Sequence, residues 1–253
     1  MEEPLPEFRE PDPRYRLLGS VRRGNAFEDT VEHLLRGIKL GIFAPGERLP
    51  AERELAEALG VSRATLRDAL AELQKAAFIT IQRGRYGGAV VSRNMPAPKG
   101  GLLDSSDQRL VEDVLVFRAV VEPAAAGRAA SSALTAEQRT RLMHALREVS
   151  SAEPNQYRPL DARLHVAIAE ASGSTMLAGA VAEARAATSE LLDRIPFLPR
   201  NIQHSNEQHQ AIVEAVLEGD SVRAEALMAE HLEGTAALLR GFLADPARVN
   251  STG

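Results

Sequence analysis

One aspartate and three histidines in the second half of the chain have the residue types and the spacing of metal ligands. Asp161 and His165 are four residues apart, so on a helix they share one face. His209 and His231 each stand about ten residues from Gly219-Asp220, where we predict one helix to end and another to begin. If these two helices are antiparallel, a rise of about 1.5 Å per residue brings both imidazoles to the same height. One carboxylate and three imidazoles suit Zn²⁺, Ni²⁺ or Mn²⁺ with open coordination positions.

The alternative is that these histidines are separate, each hydrogen-bonded or solvated. We interpret the three remaining histidines in that way: His33, His144 and His204.

Arg118 is a candidate for binding a small-molecule effector. It lies four residues before Glu122 in a segment that is otherwise apolar. One interpretation is an ordinary ion pair between the two side chains along a helix. The other is that Arg118 projects into a cavity, where its planar guanidinium would pair with an effector carboxylate. The sequence leaves both open.

The elements that position these residues are predicted to be helices, because alanine, leucine, glutamate and arginine dominate and the period is helical to the end. Thr135 and Gln138 form a capping box at one helix start. We predict an all-α bundle of six helices, near residues 108–130, 135–150, 156–172, 175–193, 203–218 and 221–243.

A second segment whose side chains could bind a partner lies at residues 49–70. Apolar residues recur at helical spacing up to Leu59, Gly60 interrupts, and Ser62 is a suitable N-cap for a further helix. That helix would expose donors suited to phosphates and guanine edges in a DNA major groove: Arg63, Thr65 and Arg67. The pattern predicts a helix-turn-helix with a recognition helix. Arg53 of the preceding helix and Ser62 are further candidate DNA contacts.

Two short strands, Phe78–Ile81 and Ala89–Val91, are predicted to follow as a β-hairpin wing. Arg83, Gly84 and Arg85 lie between them, where the arginines could enter a minor groove. A phosphate-binding loop is the rival interpretation, but no lysine follows and no helix begins there.

The composition restricts the number of domains and the kinds of chemistry that the chain can have. The 253 residues are 44% hydrophobic and allow two modest domains. Cysteine is absent, which excludes disulfides, thiolate ligands and a cysteine nucleophile. The net charge is −5, yet residues 61–93 carry six basic and two acidic side chains, as expected of a local DNA-binding surface. We expect a cytoplasmic protein, because no apolar run is long enough to span a membrane and the acidic start is unlike a signal peptide.

The predicted fold is mainly α, an N-terminal winged helix-turn-helix followed by a C-terminal all-α helical bundle. A first helix from Ala26 to about Gly41 opens the DNA-binding domain. The predicted division is a flexible arm at 1–25, the winged helix-turn-helix at 26–93, a linker at 94–107, a ligand-binding and dimerisation domain at 108–243, and a tail at 244–253.

The N-terminal motifs resemble those of the GntR family of bacterial transcription regulators. The resemblance covers about 65 residues and is carried by four segments, Pro45–Pro50, Glu52–Ala56, Val61–Leu70 and Gly84–Gly88. The sequence departs from the family pattern at Ala51, where serine is frequent, and at Ala77, where glycine is usual.

The C-terminal half, roughly 109 to 243, resembles the FCD ligand domain of the FadR branch of that family. Its metal-ligand pattern is matched by Asp161, His165, His209 and His231. The Arg118-to-Glu122 element is typical of its first helix, which supports a role for Arg118 toward an effector. Departures occur at Leu164, where phenylalanine is usual, and at Ser174, where asparagine is common.

These observations predict a regulator rather than an enzyme. It would be a homodimer on a near-palindromic double-stranded operator, more often a repressor in this family, sensing a small carboxylate at the metal centre. The linker would transmit the effector's influence to the DNA-binding domains. Two alternatives stay open, a metal-dependent hydrolase with a DNA-binding appendage and a regulator that binds a long acyl group without metal.

Overall fold

The computed structural model describes Val21 and residues 24–82, 87–96 and 105–243. The predicted wing-tip residues Arg83, Gly84 and Arg85 lie outside the described residues, as do most of the predicted arm, part of the linker and the whole tail.

The described chain is mainly α, as the sequence predicts, with a small two-stranded sheet. Its elements are, in order, α1 (Ala26–Lys39), α2 (Glu52–Leu59), α3 (Arg63–Lys75), β1 (Ile79–Gln82), β2 (Gly88–Val91), α4 (Ser105–Ala130), α5 (Ala136–Ser150), α6 (Pro154–Ala171), α7 (Thr175–Leu192), α8 (Pro199–Glu218) and α9 (Ser221–Leu243).

The helix-turn-helix forms for the local reasons that the sequence predicts. Gly60 ends α2 at a φ of +70°, in the left-handed region that glycine adopts without strain. Ser62 then caps α3, since its Oγ accepts a hydrogen bond from the Thr65 backbone N–H at 3.0 Å. β1 and β2 pair antiparallel, with Ile79 opposite Val91, and form the base of the wing.

The end of α3 carries backbone strain. Ala77 has a φ of +64°, which costs a residue with a Cβ about 1 kcal/mol or more. The conformation is held by the backbone: Phe78 N–H donates to Leu73 at 2.9 Å, and Ala77 N–H donates to Gln74 at 3.0 Å. An alanine thus occupies the turn at which glycine is usual in the family.

The C-terminal helices α4 to α9 form a bundle around a core that includes Leu142, Leu164, Ile212 and Met228. The predicted helix bounds differ from the observed ones by a few residues. The largest difference is at α8, which begins at Pro199, four residues earlier than predicted. A proline in the first turn has a φ suited to a helix start and no N–H that would need a partner there.

The N-terminal and C-terminal halves share a hydrophobic core, which the sequence did not predict. α1 packs along α9, and Phe78 at the start of the wing contacts Phe242 edge-on at 5.7 Å between ring centroids. Two glycines of α9 permit the close approach. A Cβ at Gly234 would lie 2.8 Å from Asn25 Oδ1, and one at Gly241 would lie 3.0 Å from the Glu32 Cα.

None of the helices in the described part of the chain combines the length and the apolar character that a bilayer crossing requires.

Candidate metal centre and DNA-binding face

The four predicted metal ligands come together inside the bundle. Asp161 and His165 project from α6, His209 from α8 and His231 from α9, and all four are buried. One ligand atom from each lies within 4.8 Å of the others. His209 Nε2 lies 3.2 Å from both Asp161 Oδ1 and His231 Nε2. The predicted equal height of the two imidazoles on antiparallel helices is therefore observed.

Outer partners orient two of the imidazoles. His165 Nδ1 is hydrogen-bonded to Glu122 Oε2, and His231 Nδ1 donates to Gln208 Oε1 at 2.9 Å. In both rings this leaves Nε2 facing the cluster, the arrangement in which a second partner sets the tautomer of a metal-ligating histidine.

Arg185 of α7 is a site residue that the sequence reasoning missed. It is buried, and its Nη2 donates to Asp161 Oδ2, which leaves Oδ1 toward the imidazoles. A signal existed, because Arg185 is the sole arginine of an alanine-rich helix and lies in phase with the buried Val181 and Thr188. Gln208 was also missed, since a glutamine beside a histidine carries no signature.

The cluster holds the protonation state that metal ligation requires. Burial, together with the neighbouring imidazoles of His209 and His165, keeps the pKa of His231 well below its usual value. Burial and the Arg185 guanidinium likewise lower the pKa of His165. Burial alone would raise the pKa of Asp161, but Arg185 and the imidazoles hold it well below its usual range. The result is an ionised carboxylate beside neutral imidazoles at His165 and His231.

The residues fit a divalent ion. His165 Nε2 is buried and finds no hydrogen-bond partner among the described residues, a costly state for a polar atom. It lies 3.8 Å from Asp161 Oδ1, the same oxygen that lies 3.2 Å from His209 Nε2. A carboxylate with three imidazoles suits a borderline metal such as Zn²⁺, Ni²⁺ or Mn²⁺.

The ion pair predicted for Arg118 forms, and the rest of its guanidinium group has no partner among the described residues. Its side chain is 1% exposed, and its Nε donates to Glu122 Oε1 at 2.8 Å. Its two terminal nitrogens, Nη1 and Nη2, are buried without a hydrogen-bond partner among the described residues. The ion pair along α4 thus coexists with an unsatisfied guanidinium fork of the kind that binds a carboxylate.

The predicted DNA-binding residues of the helix-turn-helix are all at least partly exposed. Arg63 and Arg67 are exposed on α3, with Thr65 partly exposed between them. Arg53 is exposed on α2. Arg67 Nε donates to Glu52 Oε2 at 2.6 Å, a contact that the sequence reasoning did not include.

Comparison with known proteins agrees with both halves. A family model described as bacterial regulatory proteins of the gntR family matches residues 27–90, and the FCD domain model matches residues 113–234. A protein of Mycobacterium gastri, RmpR, described as a candidate HTH-type transcriptional regulator, is 31% identical over 86% of this chain and 80% of its own length. This chain belongs to the GntR family. It combines a GntR helix-turn-helix with an FCD domain.

Two further matches concern other members of the family. A candidate regulatory protein of the L-lactate dehydrogenase operon in Escherichia coli (strain K12) is 31% identical over 80% of this GntR-family chain and 82% of its own. A solved structure of Streptococcus agalactiae GntR is 24% identical, covering 83% of this chain and 98% of its own at a TM-score of 0.46.

This GntR-family protein is a transcription regulator and not an enzyme, since both matching domains and the relatives are regulatory. The hydrolase alternative is not retained. In the site, Asp161 is hydrogen-bonded to Arg185, and Glu122 to Arg118 and His165.

Proposed function

We propose that this regulator senses a small organic acid at a metal centre formed by Asp161, His165, His209 and His231, and that it acts as a repressor. The observation that carries the proposal is the buried Asp/His₃ cluster together with the two terminal nitrogens of Arg118, which have no hydrogen-bond partner in the described part of the chain. A divalent ion held by these four residues would supply open coordination positions to carboxylate oxygens.

Charge in the buried site favours an anionic effector. With neutral histidines, the positive charges of Arg118 and Arg185 are balanced by the negative charges of Asp161 and Glu122. A divalent cation would add two uncompensated positive charges inside the bundle, where unpaired charge is costly. A carboxylate effector would reduce this excess and satisfy Arg118.

The name of one relative supports the same chemistry, because it refers to an operon for L-lactate dehydrogenase. L-Lactate is a small 2-hydroxy acid. A long acyl effector without metal is the weaker alternative, since it would leave the ionised carboxylate and the imidazoles of the cluster without a role.

On DNA, we propose that Arg53, Ser62, Arg63, Thr65 and Arg67 contact the operator from the helix-turn-helix. The predicted contacts of Arg83, Gly84 and Arg85 belong to the same proposal. One such domain reads only a few base pairs, so useful specificity requires two copies on a near-palindrome.

The second copy is proposed to pack on the outer face of α4. GntR regulators usually dimerise, and α4 exposes four large apolar side chains along that face, Leu110, Val116, Phe117 and Val120. Large apolar side chains gathered on one exposed face mark an interaction surface.

We expect Val120→Glu, at a residue 65% exposed, to convert a dimer to a monomer in sedimentation velocity while leaving circular dichroism unchanged. A Val120→Glu protein that sediments as the wild type does would remove α4 from the interface.

Calorimetry tests the effector proposal. Chelator-treated full-length protein is loaded with Zn²⁺ and titrated with L-lactate, other small carboxylic acids and oleate. We expect a small acid to bind only the Zn²⁺-loaded protein. Arg118→Lys, which keeps the charge beside Glu122 but loses the fork, should weaken that binding about tenfold or more. The matched control is Arg141→Lys, at an exposed arginine of α5. Oleate binding to the metal-free protein, with no binding of small acids, would favour the acyl alternative.

A further inference from the structure

Gln208 contacts the candidate metal centre and the DNA-binding domain at once. Its Oε1 accepts a hydrogen bond from His231 Nδ1 at 2.9 Å, and its Nε2 donates to Asn25 Oδ1 at 3.0 Å. His231 is a candidate metal ligand on α9, whereas Asn25 directly precedes α1 of the DNA-binding domain. A single amide therefore lies between two units that are far apart in sequence.

Asn25 is fixed on the helical domain by a second contact. It is buried, and its Nδ2 donates to the Glu230 carbonyl at 2.6 Å, one residue before His231. Gly234, one turn further along α9, leaves the space that the Asn25 side chain occupies. The start of α1 is therefore attached to the segment of α9 that carries the ligand.

The orientation of the Gln208 amide depends on which nitrogen of His231 carries the proton. His231 can ligate a metal through Nε2 only if its proton is on Nδ1, and Nδ1–H then requires the Gln208 oxygen as its acceptor. With the oxygen turned to His231, the Gln208 amide group faces Asn25 and donates to it.

The other tautomer reverses this chain of contacts. His209 Nε2 and His231 Nε2 are 3.2 Å apart, so a hydrogen bond between them requires a proton on one of the two atoms. When that proton is on His231 Nε2, its Nδ1 becomes an acceptor and favours the amide group of Gln208. The Gln208 oxygen then faces Asn25 Oδ1, and two acceptors oppose each other.

We propose that Gln208 is a positioning residue that couples metal binding at the candidate centre to the packing of α1 on the helical domain. The inference rests on the metal site proposed above. Ligation through His231 Nε2 selects the arrangement in which Gln208 holds Asn25. Because α1 packs against both α9 and the recognition helix α3, the position of α1 on α9 sets the orientation of α3 toward DNA. The coupling is a difference in metal affinity between two arrangements of the same contacts.

The test compares full-length variants in Zn²⁺ affinity and in the effect of Zn²⁺ on DNA binding. The DNA is a duplex selected on the wild-type protein from a random-sequence library. Asn25→Ala removes the DNA-domain contact and leaves the His231 contact in place. Gln208→Leu removes both, and Gln208→Glu restores an acceptor for His231 Nδ1–H. Gln210→Leu, on the exposed side of the same helix, is the matched control.

In the wild type and in Gln210→Leu we expect Zn²⁺ to change the DNA Kd by about 5- to 150-fold, the usual range of such couplings. Asn25→Ala should bind Zn²⁺ as the wild type does while losing that change. Gln208→Leu should weaken Zn²⁺ binding about 10- to 100-fold, as loss of an outer partner does, and Gln208→Glu should restore it.

If Asn25→Ala keeps the full Zn²⁺-dependent change, the coupling through Gln208 is wrong although the metal site stands. A wild-type protein that binds Zn²⁺ with no change in DNA Kd also overturns the coupling. A wild-type protein that takes up no Zn²⁺ overturns the metal site and the coupling together.

Discussion

Glu52 of α2 accepts a hydrogen bond from Nε of Arg67 on the recognition helix α3, at 2.6 Å. The Arg67 side chain is 59% exposed and that of Glu52 is 42% exposed, so the pair adds little to the free energy of unfolding. Its effect is on orientation, because it restricts Arg67 through Nε while the two Nη groups can still form a bidentate pair with a guanine. Glu52 therefore helps to orient Arg67, a side chain that is proposed to contact DNA bases.

The first prediction concerns the proposed DNA-binding residues of the recognition helix α3. Arg63→Ala and Arg67→Ala should each weaken operator binding by about 1 to 3 kcal/mol per half-site, because each removes a bidentate base contact. Glu52→Ala should have a smaller effect in the same direction, since it releases Arg67 without removing it. Fluorescence anisotropy on the selected duplex measures these changes. Arg141→Ala, at an exposed arginine of α5, is the control. An Arg63→Ala, Arg67→Ala double variant with wild-type affinity would rule out the proposed reading face.

The second prediction concerns the strained turn after α3. Ala77→Gly should raise the free energy of unfolding by about 1 kcal/mol, since glycine adopts the φ of +64° without a Cβ clash. For a chain of this size that corresponds to about 2 to 4 °C in Tm by calorimetry. Ala76→Gly is the matched control: Ala76 has a φ of −76°, so glycine there should only add unfolded-state entropy and lower Tm. Equal shifts for both variants would contradict the account of strain.

The third prediction is a pH dependence of the contact between the two halves. His204 of α8 is hydrogen-bonded to the buried Glu28 of α1 at 2.9 Å, and this bond raises the pKa of His204, helped by the acidic neighbours Glu207 and Glu230. A raised folded-state pKa means that the contact stabilises the fold fully below the unfolded value of about 6.5. That stabilisation is lost as pH rises through the folded-state pKa.

Urea unfolding from about pH 5.5 to about pH 8.5 measures this effect. The difference in unfolding free energy between the wild type and His204→Gln should shrink as pH rises. In a double-mutant cycle with Glu28→Gln, the coupling energy should be larger at the acidic end. A coupling energy that is constant across this range would show that protonation of His204 does not contribute.

Much of the fold could be predicted because its signals are local. Gly60 and Ser62 set the turn and the cap of the helix-turn-helix, and the chain length between His209 and His231 set their common height. The packing of α1 on α9 has no such local signal, since it depends on a complementary fit between distant helices. Gly234 and Gly241, seven residues apart, allow that approach but do not specify the partner. The same reason hid Gln208 and Arg185, whose roles arise only from what the fold brings beside them.

The last prediction is the stability that the metal confers. Replacing His209 or His231 with Ala removes one of four ligands, so uptake of Zn²⁺ by elemental analysis should fall markedly after dialysis against a mild chelator. In the wild type, Zn²⁺ at about 100 times its Kd should raise the unfolding free energy by about 2.7 kcal/mol through mass action. The two variants should gain much less at the same concentration.

His144→Ala is the internal control, because His144 is exposed on α5 and pairs with Glu148 away from the cluster. It should bind Zn²⁺ and gain stability as the wild type does. The comparison separates a specific site from weak surface binding, since surface binding would raise Tm in the wild type, His231→Ala and His144→Ala by the same amount. Equal Zn²⁺ uptake by the wild type and His231→Ala would mean that the four buried side chains do not form the metal site.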